Sequence, residues 1–305
     1  MKKIINNLLL KNIRFGVLLL TLALCLLVNV TAQGQDSAAR AKAKSKPVKN
    51  TFGSSFIIDN QSVMVPIKGT FEADFQHRFG TVNNGFDDLW GLYAPSNIRL
   101  GFNYAPIDKL YVGFGLTKDN MEFDFNAKYA LLKQTADNRM PVSVTVYGNM
   151  AIDARDPSNF ENSIDRYSYF SQLIIARKIT EKFSAQISPS FSWFNNVEGY
   201  IDSKGQVQSK MYHGHFAVAL YGRYKVGSNM SILAGWDQPI TQHPMNNPHP
   251  NICLGLEITT SAHQFQIIAG NYHSILAQRN NVFNQNDFTN GQFLIGFNIT
   301  RLWNF

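Results

Sequence analysis

The last fourteen residues, QFLIGFNITRLWNF at positions 292–305, alternate in character along their length. Phe293, Ile295, Phe297, Ile299, Trp303 and Phe305 fall on one face. Gln292, Gly296, Asn298, Thr300 and Asn304 fall on the other, with Leu294 and Leu302 as its only large aliphatics. A β-strand turns successive side chains to opposite sides, so this segment has one face for an apolar medium and one for a polar one. An alternating strand that ends the chain on a free Phe predicts the closing strand of a barrel with lipid outside and a polar interior. Only Arg301 interrupts the apolar face.

The other end of the chain agrees. Lys2, Lys3, Lys11 and Arg14 precede the apolar run FGVLLLTLALCLLV at 15–28, followed by Val30-Thr31-Ala32. That order predicts a signal peptide over residues 1–32, cleaved after Ala32. The run is shorter than the roughly 20 residues a membrane-spanning helix needs. Residues 33–51 carry Arg40, Lys42, Lys44, Lys46 and Lys49 against Asp36 alone and read as a disordered, basic periplasmic linker. Together these two segments carry four Lys/Arg and then five against one acid, one charge more than the formal net +7 of the whole chain. The remainder is close to neutral, so the basic total is no argument for binding nucleic acid. Cys25 leaves with the signal, Cys253 stays alone, and neither a disulfide nor a cysteine-held cofactor is expected. No cofactor of any kind is expected.

A period of two continues through the mature chain. It predicts about twelve strands, at residues 70–79, 97–105, 110–117, 121–132, 141–151, 166–177, 183–194, 211–224, 230–236, 251–259, 264–273 and 292–303. With the first strand rising from the periplasm, the turns at 106–109, 133–140, 178–182, 225–229 and 260–263 lie on one side and are short. The connections at 80–96, 118–120, 152–165, 195–210, 237–250 and 274–291 lie on the other, and all but one are long. This asymmetry is that of bacterial outer-membrane barrels, with both termini in the periplasm. Antiparallel closure also pairs every backbone donor and acceptor at membrane depth. The expected fold is therefore an all-β antiparallel transmembrane barrel over residues 70–305. Residues 52–69 remain open between a short extra strand, a periplasmic segment and a plug.

The inward-facing positions carry mixed charge. Glu72, Asp74, Glu122, Asp124 and Glu257 are balanced by Arg78, Arg99, Lys128, Arg166 and Arg223, and small polar residues lie between them. Such a lining fits either an internal network that fills a narrow barrel or a polar passage. About twelve strands is intermediate between a side-chain-filled barrel and an open pore.

Six of the seven histidines fall at or above the long-loop side, His263 being the exception. His213 and His215 stand two apart on one strand and are expected to point inward, with Asp237, His243 and His249 in the adjoining loop. Imidazoles with a carboxylate nearby fit a divalent metal or a pH-sensitive gate. Catalysis is not expected: His273 and Ser274 are adjacent, so they cannot share a strand face as base and nucleophile. Gly113-Phe114-Gly115 lacks the rest of a nucleotide fingerprint and reads as tight strand packing. Trp90, Trp193, Trp236 and Trp303 fall near strand ends, where interface girdles form.

The stretches HRFGTVNNGFDDLWGLYAPSNIRLGFNY (77–104), GFGLTKDNMEFDFNAKYALLKQ (113–134) and NITRLWNF (298–305) resemble a Bacteroidota family of outer-membrane β-barrels of unassigned function. The closing strand also resembles the signal by which such barrels reach their assembly machinery, with Arg301 where an apolar residue is usual. The resemblance implies fold and location, with the lipid bilayer and that machinery as partners, and implies no activity. The expected function is a channel for small polar solutes. The alternative is a non-conducting surface barrel whose Asn-rich loops, 244–250 and 280–290, bind a partner or stabilise the envelope.

Overall fold

A computed structural model describes residues 45–305. The expected signal peptide and most of the basic linker lie outside the described residues. Twelve strands form one closed antiparallel barrel. They are β3 (Thr70–Thr81), β4 (Asn97–Ile107), β5 (Leu110–Thr117), β6 (Glu122–Leu132), β7 (Ser143–Asp153), β8 (Tyr167–Lys178), β9 (Phe183–Phe194), β12 (Gly214–Lys225), β13 (Met230–Pro239), β14 (Asn251–Thr259), β15 (His263–Gly270) and β16 (Leu294–Asn304). Each pairs with its neighbour in sequence, and β16 closes on β3 from Leu294 opposite Thr81 to Asn304 opposite Thr70.

Four shorter strands make two hairpins: β1 (Phe56–Ile57) with β2 (Asn60–Gln61), and β10 (Gly199–Ile201) with β11 (Val207–Lys210). One helix, α1 (Ala277–Phe283), lies in the last long connection. No helix among the described residues is long and apolar enough to cross a membrane.

The wall is inside out relative to a soluble protein. Along β6, Glu122, Asp124, Asn126 and Lys128 are buried, and Phe123, Phe125 and Tyr129 between them are exposed. The same parity exposes Leu100, Phe114, Phe216, Leu254, Ile267 and Ile295. This apolar exterior suits hydrocarbon, where an unpaired backbone group would cost several kcal/mol and a closed ladder leaves none along the seams.

The turns sort as expected. One rim has short turns and carries both ends of the wall, Thr70 and Asn304. The other carries the long connections, with the β10–β11 hairpin and α1 among them. Strand ends differ in informative ways. β12 begins at Gly214, leaving His213 before it, and β13 continues to Pro239, taking Asp237 into the wall opposite Ala219 and Asn251.

Candidate functional site

The lumen is occupied. Residues 51–65 enter at the short-turn rim, reverse through the β1–β2 hairpin and return to that rim, where Gly69 turns the chain into β3. Phe52, Ile57, Ile58 and Val63 are buried against Ile174, Ala219, Leu233, Cys253, Ile268 and Tyr272 of the wall. The wall hydrogen-bonds the backbone of this plug as a neighbouring strand would. Gln266 Oε1 accepts from Ile58 N–H (3.1 Å), Asn298 Nδ2 donates to Ile58 O (2.7 Å), and Thr145 Oγ1 donates to Val63 O (2.9 Å). Gly53 passes so close to the wall that a Cβ there would stand 2.7 Å from Glu257 Oε1 and 2.5 Å from Gln264 Nε2. Residues 51–65 thus lie inside the barrel, packed against and hydrogen-bonded to its wall.

The lining charges pair among themselves and with the plug. Arg99 forks onto Asp124 through Nε and Nη2, both at 2.9 Å, and reaches Asp74 through Nη1 at 2.9 Å. Asn103 donates to the remaining oxygen of Asp74 at 3.0 Å, and Asn149 donates at 2.9 Å to the Asp124 Oδ2 that Arg99 Nη2 also holds. Gly101 and Gly115 make room for this cluster, since a Cβ on Gly115 would lie 2.3 Å from Arg99 Nη2. Of the Gly-Phe-Gly read as tight strand packing, Gly113 does lie close against β4, 2.7 Å from Phe102 O for a Cβ placed there, and Gly115 clears the lumen for the guanidinium.

Arg223 Nε meets Glu257 at 2.7 Å, and Gln264 completes that carboxylate at 2.6 Å. Arg78 pairs with Asp59 at the plug tip and with Asn298 Oδ1 at 2.9 Å. Glu72 accepts from Ser55 Oγ (2.5 Å) and Tyr111 (2.6 Å). Lys128 donates to Ser55 O (2.9 Å), Gln61 Oε1 (3.0 Å) and Ser62 O (3.3 Å). Buried ions demand such compensation, because removing one partner leaves an unpaired charge in low dielectric.

From the other rim α1 descends as a lid. Arg279 bonds Glu122 (2.6 Å), Gln278 Nε2 donates to Asn149 Oδ1 (2.7 Å), and Phe283 packs edge-on to Phe194. Between plug and lid, a cavity bounded by Asp59, Gln61, Arg99, Asp124, Tyr147 and Gln278 measures about 20 Å³, room for about one water.

All nine expected lining residues, Glu72, Asp74, Arg78, Arg99, Glu122, Asp124, Lys128, Arg223 and Glu257, do face inward. Arg166 does not, because it sits in the loop before β8. Ser55, Tyr111 and Arg279 were not anticipated. Strand parity already placed Tyr111 opposite the outward Leu110 and Val112, whereas nothing in the local pattern marks the other two.

The histidines converge only in part. His215 is buried, and its Nδ1 lies 2.9 Å from His243 Nε2 with the rings stacked. Because His243 Nδ1 accepts the Tyr212 N–H at 3.0 Å, neutral His243 carries its proton on Nε2 and donates it to His215. Burial holds His243 below its ordinary value.

The other three expected members are elsewhere. His213, before the strand rather than on it, stacks on Trp193 and bonds Phe194 O. Asp237 belongs to the wall and contacts Asn60 of the plug at 3.4 Å. His249 is held through its backbone to Asn284 O. Among the described residues no three His, Cys, Asp or Glu side chains gather as a metal site.

A closed wall, apolar outside and polar inside, defines a membrane β-barrel. Residues 52–303 match the family described as membrane bound beta barrel domain (DUF5777), and the chain belongs to that family. No curated protein matches the chain. Among solved structures it is similar to the NanC porin (11% identity, TM-score 0.47, covering 77% of this chain and 99% of that one). It is also similar to the KdgM porin (8%, 0.45, 75% and 98%). A third is an outer membrane channel from Pseudomonas putida F1 (14%, 0.47, 79% and 97%).

Proposed function

We propose that the chain is an outer-membrane barrel held closed by its own N-terminal segment, and that it passes small polar solutes only when that segment is displaced. The observation that carries this reading is the course of residues 51–65 through the lumen, bonded to β7, β9, β15 and β16. The short-turn rim, with both ends of the wall, is the periplasmic side, as in bacterial outer-membrane barrels. Both legs of the plug meet that rim, so the plug withdraws toward the periplasm without crossing the lid. The lining left behind is polar and carries charge of both signs, which suits small polar solutes. The buried Arg78–Asp59 pair between wall and plug favours the second reading, a barrel that never conducts.

Planar-bilayer conductance separates the two. The mature protein is expected to be silent and a variant lacking residues 51–65 to show reproducible steps. A folded deletion variant that stays silent eliminates passage, and large steady steps from the intact protein eliminate the plug as a seal.

A further inference from the structure

Above the wall, where the 154–166 connection meets α1, three guanidiniums surround a pocket of about 60 Å³, several times what one water needs. They belong to Arg155, Arg166 and Arg279. Two are compensated. Arg155 forks onto Asp153 (2.7 and 3.0 Å), and Arg279 bonds Glu122 at 2.6 Å with Asp153 3.7 Å away.

Arg166 is not compensated. Its Nε donates to Asp153 O at 2.7 Å and its Nη2 to Arg155 O at 3.5 Å, so its bonds go to neutral carbonyls. Asp165, which also lines the pocket, is spent on the backbone N–H of Asn162 (2.8 Å). Two of the guanidiniums lie over rings, Arg166 over Phe160 at 5.7 Å and Arg279 over Phe194 at 5.4 Å. A guanidinium stacked by its face keeps its N–H donors around its edge. The pocket therefore holds one guanidinium, that of Arg166, with no carboxylate in ion-pair contact, beside planar donor sets.

We propose that this pocket binds the carboxylate of a small solute at the extracellular mouth. A planar monoanion matches both the single uncompensated charge and the fork geometry. A phosphate dianion would bring a second negative charge against Asp153. The site does not depend on movement of the plug. Because Arg279 belongs to the lid, a bound carboxylate would touch lid and rim together.

The test is calorimetric titration of the folded mature protein in micelles with sodium propionate, and in parallel with inorganic phosphate, at low ionic strength. Propionate is expected to bind, Arg166→Gln to weaken it by roughly tenfold or more, and Arg166→Lys to weaken it less. Arg301→Gln, on the outer wall near the opposite rim, is expected to leave it unchanged. Heat-modifiable gel mobility confirms that each variant is folded. No propionate binding by the intact protein, equal binding by Arg166→Gln, or tighter binding of phosphate than of propionate would each overturn the proposal.

Discussion

Gln186 on β9 and Val63 of the plug are joined as two paired strands would be. The Gln186 Oε1 accepts the Val63 N–H at 3.0 Å, and its Nε2 donates to Gln61 O at 2.8 Å. One side-chain amide thus satisfies both backbone groups of a segment that has no strand beside it at that level. Gln186→Leu leaves the two groups buried and unpaired, at about 1–3 kcal/mol each. Amide exchange at Val63 is expected to speed up markedly while the wall amides stay protected. Unchanged protection at Val63 would mean that the plug is held elsewhere.

Arg99 stands between two carboxylates that have no other cation in contact among the described residues. Arg99→Met is expected to destabilise the barrel by about 3–5 kcal/mol, the cost of leaving buried charge unpaired. Denaturant midpoints in micelles measure it. Adding Asp74→Asn and Asp124→Asn to that variant should restore much of the loss. Gly115→Val should approach the same instability by a different route, since its side chain would stand where the guanidinium lies.

His243 gives the long-loop rim a pH dependence of definite sign. Burial lowers its pKa from the ordinary 6.5, so the folded state binds fewer protons than the unfolded one. The stability this contributes is complete above about pH 6.5 and is lost as pH falls through the lower folded value. Protonation puts a hydrogen on Nδ1, which then repels the Tyr212 N–H instead of accepting it. Imidazole nitrogen resonances are expected to show a neutral His243 at pH 7, with the Tyr212 amide losing protection only in acid. A His243 charged at pH 7 would contradict this.

Cys253 lies beneath the plug, 4% exposed, in the cluster that contains Ile58 and Val63. Residues 33–305 contain no other cysteine. A membrane-permeant maleimide should leave it unlabelled in the intact barrel and label it in the variant lacking residues 51–65. Equal labelling of both would show that the plug does not cover this wall.

The wall was legible because a barrel strand exposes its logic residue by residue. Glu72, Asp74 and Arg78 alternate with Phe71, Phe75 and Phe79, and that parity assigned every expected acid and base of the lining except Arg166. The stepped ends of the strands carry no such signal. His213 was placed on β12 because parity continues past the last paired residue, and only the register with β9 shows that pairing begins at Gly214 opposite Trp193.

The plug and lid were harder for a different reason. Both meet surroundings in which apolar clusters alternate irregularly with polar side chains, so neither shows the regular apolar period that marks a helix or strand at a protein's core. AQRNNVF at α1 reads as loop, yet Gln278, Asn280 and Asn281 are buried. Residues 45–50, expected to belong to a free linker, pair instead with the 133–140 turn, where Val48 N–H meets Gln134 O at 2.8 Å.

The plug also bears on how the molecule is made. It is synthesised before every stave of the wall and is tied by a few residues to β3, the first of them. The seam that closes the wall joins β3 to β16, the final stave in sequence. Nothing therefore has to be threaded into a finished tube. Because the filling is attached to the leading edge of the sheet, it can be enclosed as that seam closes, and the width of the wall has to match it.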